Sequence, residues 1–193
     1  MTMTGCVKNL MGCIPGLKKP GLHRKFQNQE DFAGMLVDVC TCINPGFSIL
    51  DGVYGMEGAG PSGGTPKHLK TIVGGISPYA VDLAQCYLMG LRQDTVFTIN
   101  ESISRNLCPS DSAELEWLGD DHETLRSNFK PARSHKNDTV PVIMDECPGC
   151  GVCVKICPVK CINIIKEKAV INVNNCIRCY CCHEFCPMKA ISL

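Results

Sequence analysis

Residues 147–158 read CPGCGVCVKICP and residues 176–187 read CIRCYCCHEFCP. Each holds the spacing C-x2-C-x2-C-x3-C-P. The first phrase supplies Cys147, Cys150, Cys153, Cys157 and Pro158; the second supplies Cys176, Cys179, Cys182, Cys186 and Pro187. Each position in the first phrase recurs 29 residues later in the second. After each Pro a short segment leads to a strand-like run, CINII at 161–165 and AISL at 190–193. Two copies of one unit predict a pseudo-twofold arrangement.

The spacing has a mechanical reading. Three cysteines two residues apart wrap a tight loop around one side of a cube-shaped cluster. The fourth, three residues on, begins a segment that points away, so it crosses to the cluster of the other repeat. One ligand set is then Cys147, Cys150, Cys153 and Cys186. The other is Cys157, Cys176, Cys179 and Cys182. The Pro after each fourth Cys turns the chain, and Gly151 lets backbone N–H groups approach the sulfurs, which raises a reduction potential. Zinc is the alternative metal, but structural zinc sites use C-x2-C pairs set well apart. Two cysteines stand outside these sets. Cys161 reads as a small buried hydrophobe beside a cluster, and Cys181 as a packing or solvent-facing residue that could replace a lost ligand. His183 and Tyr180 flank the second phrase.

The rest of the composition fits a metal protein. The 193 residues carry 19 basic and 19 acidic side chains, a formal net charge of zero. No basic field argues for nucleic acid. No apolar run reaches the roughly 18 residues of a membrane span, and the opening MTMTGCVKNLMGCIPGLKKPG is too broken for a signal-peptide core. A cytoplasmic location is expected. Thiols stay reduced there, so sixteen cysteines read as metal chemistry rather than a disulfide framework. Ten of them lie in residues 140–193 and six in 1–139. The polar stretch near 131–139 reads as a linker. In residues 140–193 six basic residues face four acidic ones, a net +2, leaving −2 for residues 1–139. Opposite signs suit a module docked on its own neighbour.

Residues 29–43, QEDFAGMLVDVCTCI, place Phe32, Leu36, Val39 and Ile43 at helical spacing. FSILDGV (47–53) reads as a strand ending near Asp51. HLKTIVGGI (68–76) reads as another strand, and SPYAVDLAQCYLMGL (77–91) as a helix capped by Ser77 with Pro78 in its first turn. Strand, loop, strand, helix in that order predicts an α/β sheet. The loop GAGPSG (58–63) satisfies G-x-G-x-x-G, but Pro61 interrupts it and no helix opens after it. Anion binding by its N–H groups and a plain turn remain the two readings. Asp51, Glu57 and Asp82 are the carboxylates of interest, each with a structural alternative, and Lys8, Asn9 and His23 could complete a polar site.

Two resemblances follow. The strand TVPVIMD (139–145), the first cysteine phrase, CPVKCI, a hairpin around KEKAV (166–170) and the second cysteine phrase make residues 140–193 look like a bacterial two-cluster ferredoxin. This implies two 4Fe-4S clusters in a βαββαβ module with electrons hopping between them, although free clostridial-type ferredoxins tend to be acidic. KNLMGCIPG (8–16), ILDGVYGMEGAGPSGGTPK (49–67) and SPYAVDLAQCYLMGL make roughly residues 4–130 resemble the domain of unknown function 362 family. Some members of that family carry a C-terminal pair of ferredoxin motifs. They normally have a further region before the KN-x-x-G phrase, so a truncated product, or a partner chain completing the N-terminal domain, is expected.

The overall expectation is an α+β chain. A partial α/β domain (1–130) leads through a linker (131–139) to a ferredoxin-like βαββαβ module (140–193). That module holds two 4Fe-4S clusters and exchanges electrons with a redox partner protein or enzyme subunit. The alternative is an oxidoreductase whose α/β domain binds an anionic substrate near Asp51 and Glu57 and uses the clusters as a relay. Catalytic residues are not assigned by the sequence.

Overall fold

The computed structural model describes residues 2–58, 64–131 and 140–193. Helices and strands are mixed, and the chain divides into two compact units. One is Met1–Cys13 with Asn28–Ser134; the other is Ile14–Gln27 with His135–Leu193. The expected linker lies almost wholly outside the described residues. Among the described residues no helix is long and apolar enough to cross a membrane.

The first unit opens with α1 (Cys6–Asn9). The short α2 (Lys19–Lys25) groups with the second unit. The chain returns in α3 (Gln29–Ile43), whose span matches the expected helix. Asn28 caps α3 by accepting the Asp31 N–H at 2.6 Å, and Asn44 ends it with a left-handed φ of 47°. Its buried face is Phe32, Ala33, Met35, Leu36, Val37 and Cys40. Ile43, expected on that stripe, is exposed because it lies in the final turn, past the packed surface.

Next come β1 (Ser48–Glu57) and β2 (Thr65–Gly75), which pair antiparallel from Ser48↔Gly75 to Glu57↔Thr65. This corrects the expected α/β sheet. The connection between Glu57 and Thr65 is too short for the crossover of a dozen or more residues that parallel strands need, so the strands fold back as a hairpin. The glycine loop joins them; its residues 59–63 lie outside the described residues. The register shifts between Gly52 and Tyr54, where Lys70 takes a φ of 61°, as in a bulge. Then α4 (Pro78–Leu88) follows with the expected cap, Ser77 Oγ accepting the Ala80 N–H at 3.3 Å. It ends before Gly90, whose φ is 68°. The unit's last helix is α5 (Phe97–Ser104). A core of Met3, Leu69, Leu83, Cys86, Met89, Val96, Ile99 and Phe129 joins β2, α4 and α5. Arg105 pairs with Glu101 on α5 and Asp38 on α3.

Inside this unit Asp82 is 1% exposed. Its carboxylate accepts the N–H of Cys6 at 2.5 Å and of Val7 at 3.1 Å, tying α4 to the start of α1. Gly5 passes so close that a Cβ there would collide with this carboxylate. Desolvation pushes the Asp82 pKa up to about 6, against the backbone hydrogen bonds that favour its charge.

The second unit runs β3 (Val142–Ile143), α6 (Val152–Ile156), β4 (Ile162–Ile165), β5 (Lys168–Ile171), α7 (Cys181–Glu184) and β6 (Ile191–Ser192). β3 pairs antiparallel with β6, and β4 with β5. The β4–β5 turn is only Lys166 and Glu167, with φ of 49° and 59°, the positive values of a tight hairpin turn. The buried cluster of this unit is Cys153, Cys161, Ile162, Ala169, Cys182 and Ile191. Half of it is cysteine.

Two outcomes follow from this packing. The folded-state pKa of Asp82 lies above its unfolded value, so its contribution to stability is full below about pH 4 and lost as pH rises through about 6. The rise of the Asp82 pKa to about 6 corresponds to about 3 kcal/mol. Urea unfolding read by Trp117, the single tryptophan of the chain, should show this fall in the native protein and lack it in Asp82→Asn. Equal pH slopes would exclude Asp82 as the source. In the second unit Gly149 has a φ of 68°, and a Cβ there would collide with the Glu167 carbonyl oxygen, whereas Gly151 at 75° has open space. Gly151→Ala should cost about 1–2 kcal/mol for its left-handed backbone alone. Gly149→Ala should cost clearly more in thermal melts followed by circular dichroism, and equal losses would contradict the collision.

Candidate metal centre

All sixteen cysteines are free thiols. Nine of the ten C-terminal ones line two cavities, and the eight repeat cysteines among them fall in two groups of four. Cys147, Cys150, Cys153 and Cys186 line one, together with Ala190 and Ile191. Cys157, Cys176, Cys179 and Cys182 line the other, together with Cys161 and Ile177. Each has about 320 Å³ of space free of protein atoms, its mouth included. In each group three cysteines come from one phrase and the fourth from the other. The fold brings this about locally. Each phrase bends through two left-handed residues, Gly149 and Gly151 in the first, Arg178 and Tyr180 in the second. The third cysteine then sits in a short helix, Cys153 in α6 and Cys182 in α7, and the fourth follows that helix.

Backbone donors are aimed at ligand-type sulfurs. The N–H of Cys161 donates to Cys157 Sγ at 3.4 Å, that of Arg178 to Cys176 Sγ at 3.4 Å, and that of Ala190 to Cys186 Sγ at 3.3 Å. Gly151, expected to let N–H groups approach the sulfurs, stands in left-handed conformation at the start of α6; the donors Cys161, Arg178 and Ala190 were not named by the sequence reading. A comparison of positions two and four residues beyond the ligand-type cysteines would have found them. Burial pushes the Cys182 thiol up to about 12 and raises Cys153 as well. Cys179 is lowered to about 7, chiefly by a hydrogen bond from Cys181. A thiolate ligand must lose its proton, so loading releases protons.

The donor set suits an iron–sulfur cluster: four repeat cysteines around each cavity, N–H groups directed at sulfur, and apolar walls. Among the described residues no three Cys, His, Asp or Glu side chains converge as ligands of a single ion. Cys161 is 4% exposed and Cys181 2% exposed, so both are buried. Cys161 Sγ stands 3.5 Å from Cys157 Sγ, and burial with neighbouring sulfurs pushes its thiol up to about 12.

The N-terminal carboxylates are engaged in the fold. Asp51, expected at a strand end, lies within β1 opposite Ile72, with Oδ1 accepting the Val53 N–H at 2.9 Å. Strand β1 runs on to Glu57, which is why the end moved. Glu57 accepts the Lys130 N–H at 2.9 Å and pairs with Lys67 at 3.6 Å; these partners hold its carboxyl below the usual range. Lys8 donates to Thr4 Oγ1 at 2.9 Å. Asn9 ends α1, while His23 lies on α2 in the other unit.

The chain is similar to "Thylakoid-associated protein sll1697" of Synechocystis sp., 33% identical over 132 residues, covering 67% of this chain and 41% of that protein. It therefore spans about two fifths of the length of the curated relative it matches. No solved structure matches the chain. Residues 1–87 match the family model described as "Domain of unknown function (DUF362)", which places the family resemblance on α1, α3, the β1–β2 hairpin and most of α4.

Proposed function

We propose that this chain is an iron–sulfur protein that holds two 4Fe-4S clusters and passes single electrons to and from a redox partner protein or enzyme subunit. One observation carries the reading: each cavity is lined by four repeat cysteines, three from one phrase and one from the other. Cys147, Cys150, Cys153 and Cys186 would hold one cluster, and Cys157, Cys176, Cys179 and Cys182 the other. Zinc needs its sulfurs at about 2.3 Å from one point. A cubane takes one thiolate at each of four irons, so its ligands surround a body rather than meet at a point. Cysteines on the walls of a cavity suit the second case.

When bound, each cluster would supply a one-electron acceptor that needs no bond breaking. The chain's own residues bind and tune. Thiolates fix the position of each centre. The N–H groups of Cys161, Arg178 and Ala190 place positive dipoles on ligand sulfurs, where added negative charge collects. Ile162, Ala169 and Ile191 are buried and keep water from the interior.

Anaerobically purified protein should contain about eight irons and eight acid-labile sulfides per chain, as two four-iron clusters require. It should be brown and bleach with dithionite. Cys153→Ala should lose about half the iron, because one ligand set is broken and the other stays intact. Bound zinc with no labile sulfide would refute the reading.

A further inference from the structure

The 29-residue offset extends beyond the cysteines to the backbone. Gly149 and Arg178 have φ of 68° and 53°, Gly151 and Tyr180 of 75° and 59°, Lys160 and Lys189 of 53° and 50°. Helices α6 and α7 start at equivalent positions, Val152 and Cys181. The sulfur hydrogen bonds repeat as well: Cys161 N–H to Cys157 Sγ corresponds to Ala190 N–H to Cys186 Sγ. Cys161 and Ala190 therefore occupy the same place in the two repeats. Both are buried, at 4% and 2% exposure. Cys161 lines the cavity of the Cys176 group and Ala190 that of the Cys147 group.

The side chains differ where the backbones agree. Cys161 Sγ is 3.5 Å from Cys157 Sγ, hydrogen-bonding distance for sulfur, whereas a methyl group stands at the corresponding place in the other cavity. The second extra thiol, Cys181, stands where the first repeat has Val152, and its Sγ lies 3.8 Å from the Cys179 carbonyl oxygen. Both extra thiols of the C-terminal unit thus accompany one group of four.

We infer that Cys161 is a tuning residue whose S–H donates to the ligand sulfur of Cys157, making the Cys157, Cys176, Cys179 and Cys182 centre the more easily reduced of the two. This inference rests on the two-cluster reading above. One-electron reduction adds negative charge that spreads onto the ligand sulfurs, and a donor directed at such a sulfur favours the reduced form. No bond to sulfur is made or broken, the Cys161 proton stays on its sulfur, and the electron comes from an external one-electron reductant such as dithionite. A thiol is a weak donor. The expected effect is about tenfold in one reduction equilibrium, or about 59 mV for a one-electron couple.

The test is an EPR-monitored redox titration of the full chain, with iron and sulfide measured on every sample. Cys161→Ala installs the side chain that already packs at position 190. It should keep full iron and sulfide, lower the higher of the two midpoint potentials by about 59 mV, and leave the lower one in place. Cys161→Ser keeps a donor and should hold the higher midpoint near its native value. Ala190→Cys should raise the lower midpoint. Full loading with both midpoints unmoved in Cys161→Ala overturns the inference and leaves the two-cluster reading standing. Loss of half the iron in Cys161→Ala also overturns it, by making Cys161 a ligand. Failure of the two-cluster reading itself would appear earlier, as absent iron and sulfide in the native chain.

Discussion

The C-terminal unit has too little hydrocarbon to close a core by itself. Its buried cluster is Cys153, Cys161, Ile162, Ala169, Cys182 and Ile191, and its four strands are two to four residues long. Units below about 70–80 residues need a staple beyond such a core, and a metal centre is one of the few kinds available. Here the thiols line two cavities inside the unit. Whatever fills them would supply cohesion as well as chemistry. Because each set takes its fourth cysteine from the other phrase, two filled centres would also cross-link the repeats. Where a metal centre fills cavities of this kind, binding and folding are one equilibrium.

The N-terminal unit is held differently. Its core is aliphatic and aromatic, and its principal polar constraint is Asp82, which ties the first turn of α1 to α4. Desolvation and the backbone hydrogen bonds pull the ionisation of Asp82 in opposite directions, and desolvation wins. The same unit carries a long two-stranded hairpin with Ile49, Tyr54, Met56 and Ile72 exposed. Its carboxylates at Asp51 and Glu57 are used to hold local backbone. The substrate-binding alternative therefore finds its two carboxylates already engaged in structural hydrogen bonds.

A repeat need not make two equal sites. Backbone torsions and sulfur hydrogen bonds coincide in the two halves of the C-terminal unit, but side chains are free to diverge at positions where geometry is kept. Cys161 against Ala190 is such a pair, and Cys181 against Val152 is another. Divergence of this kind changes the electrostatic surroundings of a site while leaving its shape alone.

Much of this molecule was legible in one dimension. Helix α3, the Ser77 cap of α4 and the spacing of the eight repeat cysteines could be read because each depends on neighbours a few residues away. Strand direction could not. FSILDGV and HLKTIVGGI look the same in a parallel or an antiparallel sheet, and only the short connection through the glycine loop forces the hairpin. The place of Asp51 moved for the same reason, since strand ends are decided by cross-strand pairing. The Lys166–Glu167 turn carries none of the usual Gly or Asn, so its positive φ values come from the strands it joins. Local chain geometry thus set the helices and the order of the thiols. Tertiary structure alone decided the direction of β1 against β2 and the burial of Asp82 against the Cys6 and Val7 N–H groups, because those contacts join residues far apart along the chain.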